Sequence, residues 1–184
     1  MQKVNLVGWS HGGEVSLDFA LNNPNRIKTL TLIEPAAYWV ARAYGKFGEE
    51  EHELRKIFDE FHHPPTEDDL IDFLRINGLI PPGVDPRTMP RWSVWYSMKT
   101  ALLSLHTIVE HSDDLARLQV LRDKPVLLVK GKDSVEGNSG IVDLLSKALG
   151  KNSKVITLPD GHACHIAAQD EFLAELKQFM SEAQ

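Results

Sequence analysis

"VNLVGWSHGGEVSLDFALNNP", residues 4–24, decides how the rest of the chain is read. Residues 4–7 form a short apolar run that predicts a strand. Gly8-Trp9-Ser10-His11-Gly12-Gly13 comes next, and residues 14–21 then have helical character. Asn22-Asn23-Pro24 stops that helix, because proline cannot continue it. A serine between glycines, after a strand and before a helix, matches the nucleophile-elbow pattern Gly8-x-Ser10-x-Gly12. Such a turn strains its backbone and needs neighbours without side-chain bulk. It exposes the hydroxyl beyond the strand and aims the following N–H, that of His11, at a developing oxyanion. The plainer reading is a glycine-rich turn without chemistry. A dinucleotide-binding loop fits worse, because Gly8-x-x-x-Gly12-Gly13 lacks the G-x-G-x-x-G spacing.

Working outward, Ile27–Ile33 (IKTLTLI) is rich in β-branched residues and predicts a second buried strand, closed by Glu34-Pro35. The segment 36–112 changes character. Leu54, Ile57, Phe58 and Phe61 recur at helical spacing. Thr66 can cap a further helix carrying Leu70, Ile71, Phe73 and Leu74, with Gly78 placed to end it. After the proline-rich connector LIPPGVDPRTMP, residues 92–109 are apolar nearly all round and predict one helix covered on more than one face. Alternation then returns. Residues 126–129 predict a strand, 141–149 a helix ended by Gly150, and 155–158 another strand. Phe172, Leu176, Phe179 and Met180 make the stripe of a terminal helix, with His165 near its start. Strands alternating with helices predict an α/β fold, a parallel sheet of about four strands flanked by helices and interrupted by a helical insertion.

Composition narrows the function classes. The 184 residues suffice for a domain with its own core. A formal net charge of −6 gives no footing for nucleic acid, which calls for a basic excess. No apolar run approaches the roughly 20 residues that cross a bilayer, and the start does not read as a signal peptide. Cys164 is the single cysteine, so no internal disulfide forms, and a cytoplasmic location is the expectation.

A serine nucleophile needs a base and an acid to orient that base. Asp133, in LLVKGKDS, lies just past one predicted strand, and His162, in LPDGHACH, lies in the turn after another. The order Ser10, Asp133, His162 is one that serine hydrolases use. In a parallel sheet all three fall beyond the carboxyl edge, where open α/β sheets place their sites. Alternatives stay open. Asp133 also reads as a turn residue, Glu34 is the rival acid, and His165 competes with His162. His162-x-Cys164-His165 lacks the spacing of a tetrahedral metal site, so no metal is expected, and Cys164 reads as a small buried hydrophobe. His62-His63 reads as a solvated helix end. Trp9, Trp39, Trp92, Trp95 and Tyr96 fit either core or pocket wall.

On these residues the chain resembles the Ser-nucleophile α/β-hydrolase superfamily: LVGWSHGG its elbow, LLVKGKDS its acid strand, and LPDGHACHIAAQDEFLAELKQF its histidine turn and closing helix. The resemblance implies a partial α/β-hydrolase fold, with residues 1–35 and 113–184 as core and 36–112 as a helical cap. It implies Ser10 as nucleophile, Asp133 as orienting acid, His162 as base, and the His11 N–H as an oxyanion donor. A serine at the elbow argues against haloalkane dehalogenases and epoxide hydrolases, and leaves esterases, thioesterases, lactonases and C–C bond hydrolases. No cofactor is implied, and the expected partner is a small-molecule substrate, apolar or aromatic by the aromatics of the cap. In the family the elbow follows the fifth strand, whereas only Met1-Gln2-Lys3 precedes Val4 here. The expectation is therefore a chain lacking the N-terminal half and one oxyanion donor, its elbow strand left as a sheet edge open to self-association or to a complementing half. The alternative expectation is a non-catalytic remnant that binds a ligand or associates.

Overall fold

The structure is a computed structural model describing residues 2–46, 48–59 and 64–183. Phe61, His62 and His63 lie outside the described residues. Four strands, β1 (Val4–Trp9), β2 (Ile27–Ile33), β3 (Val126–Gly131) and β4 (Ser153–Leu158), form one parallel sheet in the order β1-β2-β3-β4. The two inner strands are buried on both faces, which is why IKTLTLI and VLLV read as unbroken β-branched and apolar runs. The outer strands alternate between half-buried and exposed residues, as edge strands do.

Helices cover both faces. Helix α1 (His11–Asn22) and, later in the chain, α7 (Glu136–Leu149) lay Leu17, Ala20, Ile141, Val142 and Leu145 against Leu30, Leu32, Val126 and Leu128. On the other face, the last helix, α9 (Gln169–Glu182), sets Phe172 and Phe179 on Ile33, Leu127, Val129 and Leu158. Successive strand residues thus feed opposite layers, the period-2 rule that the sequence pattern rests on. Because every strand runs the same way, Ser10, Glu34, the turn after Gly131 and the turn after Leu158 all emerge at one sheet edge.

The described residues of 36–112 are helical or connecting: α2 (Tyr38–Ala43), α3 (Glu49–Asp59), α4 (Glu67–Ile76), α5 (Trp92–Ser97) and α6 (Leu102–Glu110). Thr66 caps α4 as expected, in a reciprocal box with Asp69. Gly78 follows at φ 68°, a left-handed conformation suited to glycine. One expectation is corrected. Residues 92–109 do not form a single covered helix. Met98 N donates to both Val94 O and Trp95 O, the backbone tightens into a 3₁₀ turn at Lys99–Ala101, and α6 restarts beyond it. Leu70, Leu74, Ile80 and Leu102 form a small core there, while Val94, Tyr96, Met98 and Leu103 stand in solvent. His165 likewise falls in a separate short helix, α8 (Cys164–Ala167), before α9. No helix among the described residues is long and apolar enough to cross a membrane.

Candidate active site

The backbone at Ser10 is strained and held. Its φ of 53° and ψ of −125° are unusual for a residue with a side chain. Four hydrogen bonds keep it there. Ser10 N donates to Ile33 O at 3.0 Å, and Ser10 O accepts from Gly13 N, Glu14 N and Ala36 N at 2.9, 3.1 and 3.0 Å. The motif's glycines are not equivalent. A Cβ on Gly8 would lie 2.4 Å from Gly12 O, and one on Gly13 2.9 Å from Pro35 Cα, whereas one on Gly12 would meet nothing within 4 Å. The His11 N–H sits in the first turn of α1, where no earlier helical carbonyl exists to accept it.

Ile33 and Ala36 bracket Glu34, so the loop that pins Ser10 also carries a carboxylate into the site. Glu34 is fully buried with φ 38°. Its Oε1 accepts the Gly131 N–H at 2.7 Å. Its Oε2 accepts from Ser134 Oγ at 2.7 Å and stands 2.7 Å from His162 Nδ1. An ionised carboxylate only accepts, so Nδ1 carries a proton toward Glu34 and the neutral ring keeps its lone pair on Nε2. The Asn138 side-chain amide lies 3.2 Å from the same Nδ1, with the Tyr38 hydroxyl 3.4 Å behind it. Trp9 Nε1 donates to the His162 carbonyl at 2.9 Å, and its ring centroid lies 5.4 Å from the imidazole. Asp160, two residues before His162, has φ 77° and folds its carboxylate back onto Gly161 N at 2.6 Å. Ser10, Glu34 and Asp160 are the only non-glycine residues with positive φ among the described residues, and each is the turn of a different strand end.

Of the two candidate acids, the structure places Glu34 beside His162 and Asp133 away from it. Asp133 is exposed, its N–H donates to Asp160 O at 3.0 Å, and among the described residues no hydrogen bond joins its carboxylate to His162. The reason is local. The turn after β3 spends the Asp133 backbone on the histidine loop and sends its side chain outward, while Glu34 reaches across beneath it. Nor does a hydrogen bond join Ser10 Oγ to His162 among the described residues, although Trp9 ties the residue before Ser10 to the histidine loop. Ser134 and Asn138 escaped the sequence reading. Only adjacency to Asp133 in GKDS signalled the first, and nothing local signalled the second.

Two further imidazoles feel the burial of this region. Burial lowers the pKa of His11, and burial followed by the neighbouring His162 lowers that of His165. Cys164 is a buried free thiol pushed up to about 12 by burial, so it is inert as a nucleophile. Trp39 belongs to the core, Trp92 and Trp95 pack against the small core beside α4, and Tyr96 is exposed. A cleft of about 420 Å³ between Gly48–Glu50 and α7, lined by Glu49, Glu50, Glu136 and Asp143 with Lys46, touches neither Ser10 nor His162.

Comparison with known proteins agrees with this architecture. The family described as alpha/beta hydrolase fold matches residues 1–168. The chain belongs to that family. A pimeloyl-[acyl-carrier protein] methyl ester esterase of Nitrosomonas europaea is 25% identical over 178 residues, covering 94% of this chain and 69% of that one. Among solved structures, a hydrolase from Pseudomonas aeruginosa superposes with TM-score 0.75 at 21% identity, covering 97% of this chain and 65% of that one. An esterase from Exiguobacterium antarcticum gives TM-score 0.73 at 16% identity, covering 98% and 68%. The chain thus spans about two thirds of the length of these relatives.

Proposed function

We propose that this chain carries the catalytic centre of a serine hydrolase that cleaves an ester-type bond, with Ser10 as nucleophile, His162 as base and Glu34 as the acid that orients it. The observation that carries this reading is the buried 2.7 Å contact between Glu34 Oε2 and His162 Nδ1, one loop away from the strained Ser10. Ser10 Oγ attacks the substrate carbonyl while His162 Nε2 takes its proton. The tetrahedral oxyanion faces the His11 N–H and the N-terminus of α1. The leaving alkoxide departs with the proton from His162, leaving an acyl-serine. Water then repeats the sequence, releasing the acid and restoring Ser10. Glu34 stabilises the transient imidazolium, with Gly131 N–H and Ser134 Oγ fixing the carboxylate. The name of the esterase relative supports a carboxylic ester as substrate. Thioesters, lactones and activated C–C bonds pass through the same acyl-serine.

A fluorophosphonate probe is expected to label Ser10 and to miss Ser10→Ala. Glu34→Gln is expected to lower kcat by about 10⁴ on a simple ester, the loss that follows when an orienting acid is replaced by its amide. Asp133→Asn should keep most of the activity. A folded chain that resists the probe would remove the catalytic reading. The reverse ranking of the two acid variants would return the role to Asp133.

A second reading, association through the sheet edge, is favoured by β1. Among the described residues it pairs only with β2, and Val7 on it is 41% exposed.

A further inference from the structure

We infer that Asn138 is a positioning residue for the reaction proposed above: its side-chain oxygen accepts the His162 Nδ1–H beside Glu34, and Tyr38 locks the amide in that orientation. The role rests on the reading of His162 as the base. Asn138 lies in the first turn of α7 and is 1% exposed. It stands three, four and seven residues before Ile141, Val142 and Leu145, the stripe that α7 lays on the sheet. A leucine there would extend the apolar layer, whereas a buried amide is costly unless both of its ends find partners. One end lies 3.2 Å from His162 Nδ1, and the other 3.4 Å from the hydroxyl of Tyr38, itself buried at the start of α2.

The proton on Nδ1 decides which way the amide points. Glu34 Oε2, 2.7 Å away, accepts that proton. An amide NH2 facing the same nitrogen would set two donors against each other. With the oxygen there instead, Nδ1–H makes a three-centre bond to Glu34 and Asn138, and the NH2 donates to the Tyr38 hydroxyl oxygen. The opposite orientation moves the ring proton to Nε2 and requires a protonated Glu34, and such a ring cannot take the proton of Ser10. When His162 does take it, a carboxylate and an amide dipole together meet the positive charge on the Nδ1 side. Three elements then hold the histidine: the end of β2 through Glu34, α7 through Asn138, and β1 through Trp9, which donates to the His162 carbonyl.

The test uses the full chain. Asn138→Leu keeps the volume and removes the amide, and Tyr38→Phe removes only the lock. Rates are taken per site labelled by the fluorophosphonate probe, which discounts unfolded chain. Asn138→Leu should lower kcat about tenfold with KM unchanged, because the buried amide stabilises the imidazolium and touches no substrate. Tyr38→Phe should lower kcat about threefold, again with KM unchanged. Nuclear magnetic resonance on the unsubstituted chain, with isotope-labelled histidine and asparagine, should place the His162 proton on Nδ1 and the Asn138 NH2 against the Tyr38 ring. Where Asn138→Leu fails to fold, Tyr38→Phe and the spectra carry the test. Full kcat per labelled site in Asn138→Leu would overturn the role, as would an Asn138 NH2 on His162 with the ring proton on Nε2. Either result, in a chain that takes the probe, leaves Ser10 as the nucleophile. A folded chain that never takes the probe removes the hydrolase reading itself, and this role with it.

Discussion

Glu14 shows how much one side chain can set at the scale of a residue. Burial, opposed by Arg42 and aided by Asp18, raises its pKa to about 8. A carboxyl whose folded pKa exceeds its unfolded value of about 4.5 keeps its proton in the native state while the unfolded chain loses it. Folding stability from this group therefore falls as pH rises from about 4.5 to 8 and levels off above. Glu14→Gln removes that dependence. Its melting temperature should equal that of the unsubstituted chain near pH 4.5 and exceed it increasingly toward pH 8. The gain there is on the order of 2 to 4 kcal/mol, read by thermal melts across the pH range. A constant difference between the two chains at all pH values would contradict the assignment. The other residue-scale features are the bent backbones of Ser10, Glu34 and Asp160. Each turns the chain sharply just past a different strand, at the same edge of the sheet.

At the scale of elements, the strands and most helices were legible because their periodicities differ. IKTLTLI and VLLV could be read as inner strands from unbroken apolar and β-branched runs, and Thr66 and Gly78 marked the ends of α4 by their capping chemistry. The 92–109 run misled, since an apolar composition does not say where the backbone tightens or which side faces water. The site depends on how tightly strand ends meet. A Cβ on Gly131 would come 2.3 Å from Gly161 O and 2.5 Å from Asp160 O. Gly131→Ala should therefore push the histidine loop away and strain the Gly131 N–H to Glu34 bond. The expected cost is about 1–3 kcal/mol in urea unfolding, with a larger proportional loss of esterase activity. Unchanged stability and rate would show that the loop can shift freely.

The whole molecule is one sheet with an inner pair of strands, two helical layers, and an edge at β1 whose N–H and C=O groups have no strand beyond them among the described residues. Relatives about half as long again share its fold. We expect the weight-average mass in sedimentation equilibrium to rise with concentration above that of one chain, and Val7→Lys, a charge on the edge strand, to suppress the rise. A monomer at every concentration would remove the association reading. By itself the sequence determined the alternation of strands and helices, the elbow at Ser10 and the histidine turn at His162. Those signals are local: periodicity, glycine spacing and proline stops act within a few residues. Only the tertiary structure decided that Glu34 rather than Asp133 meets His162, and that Ser134 and Asn138 join them. Those choices rest on side-chain reach and register between segments about 100 residues apart, distances along the chain over which no local pattern carries information.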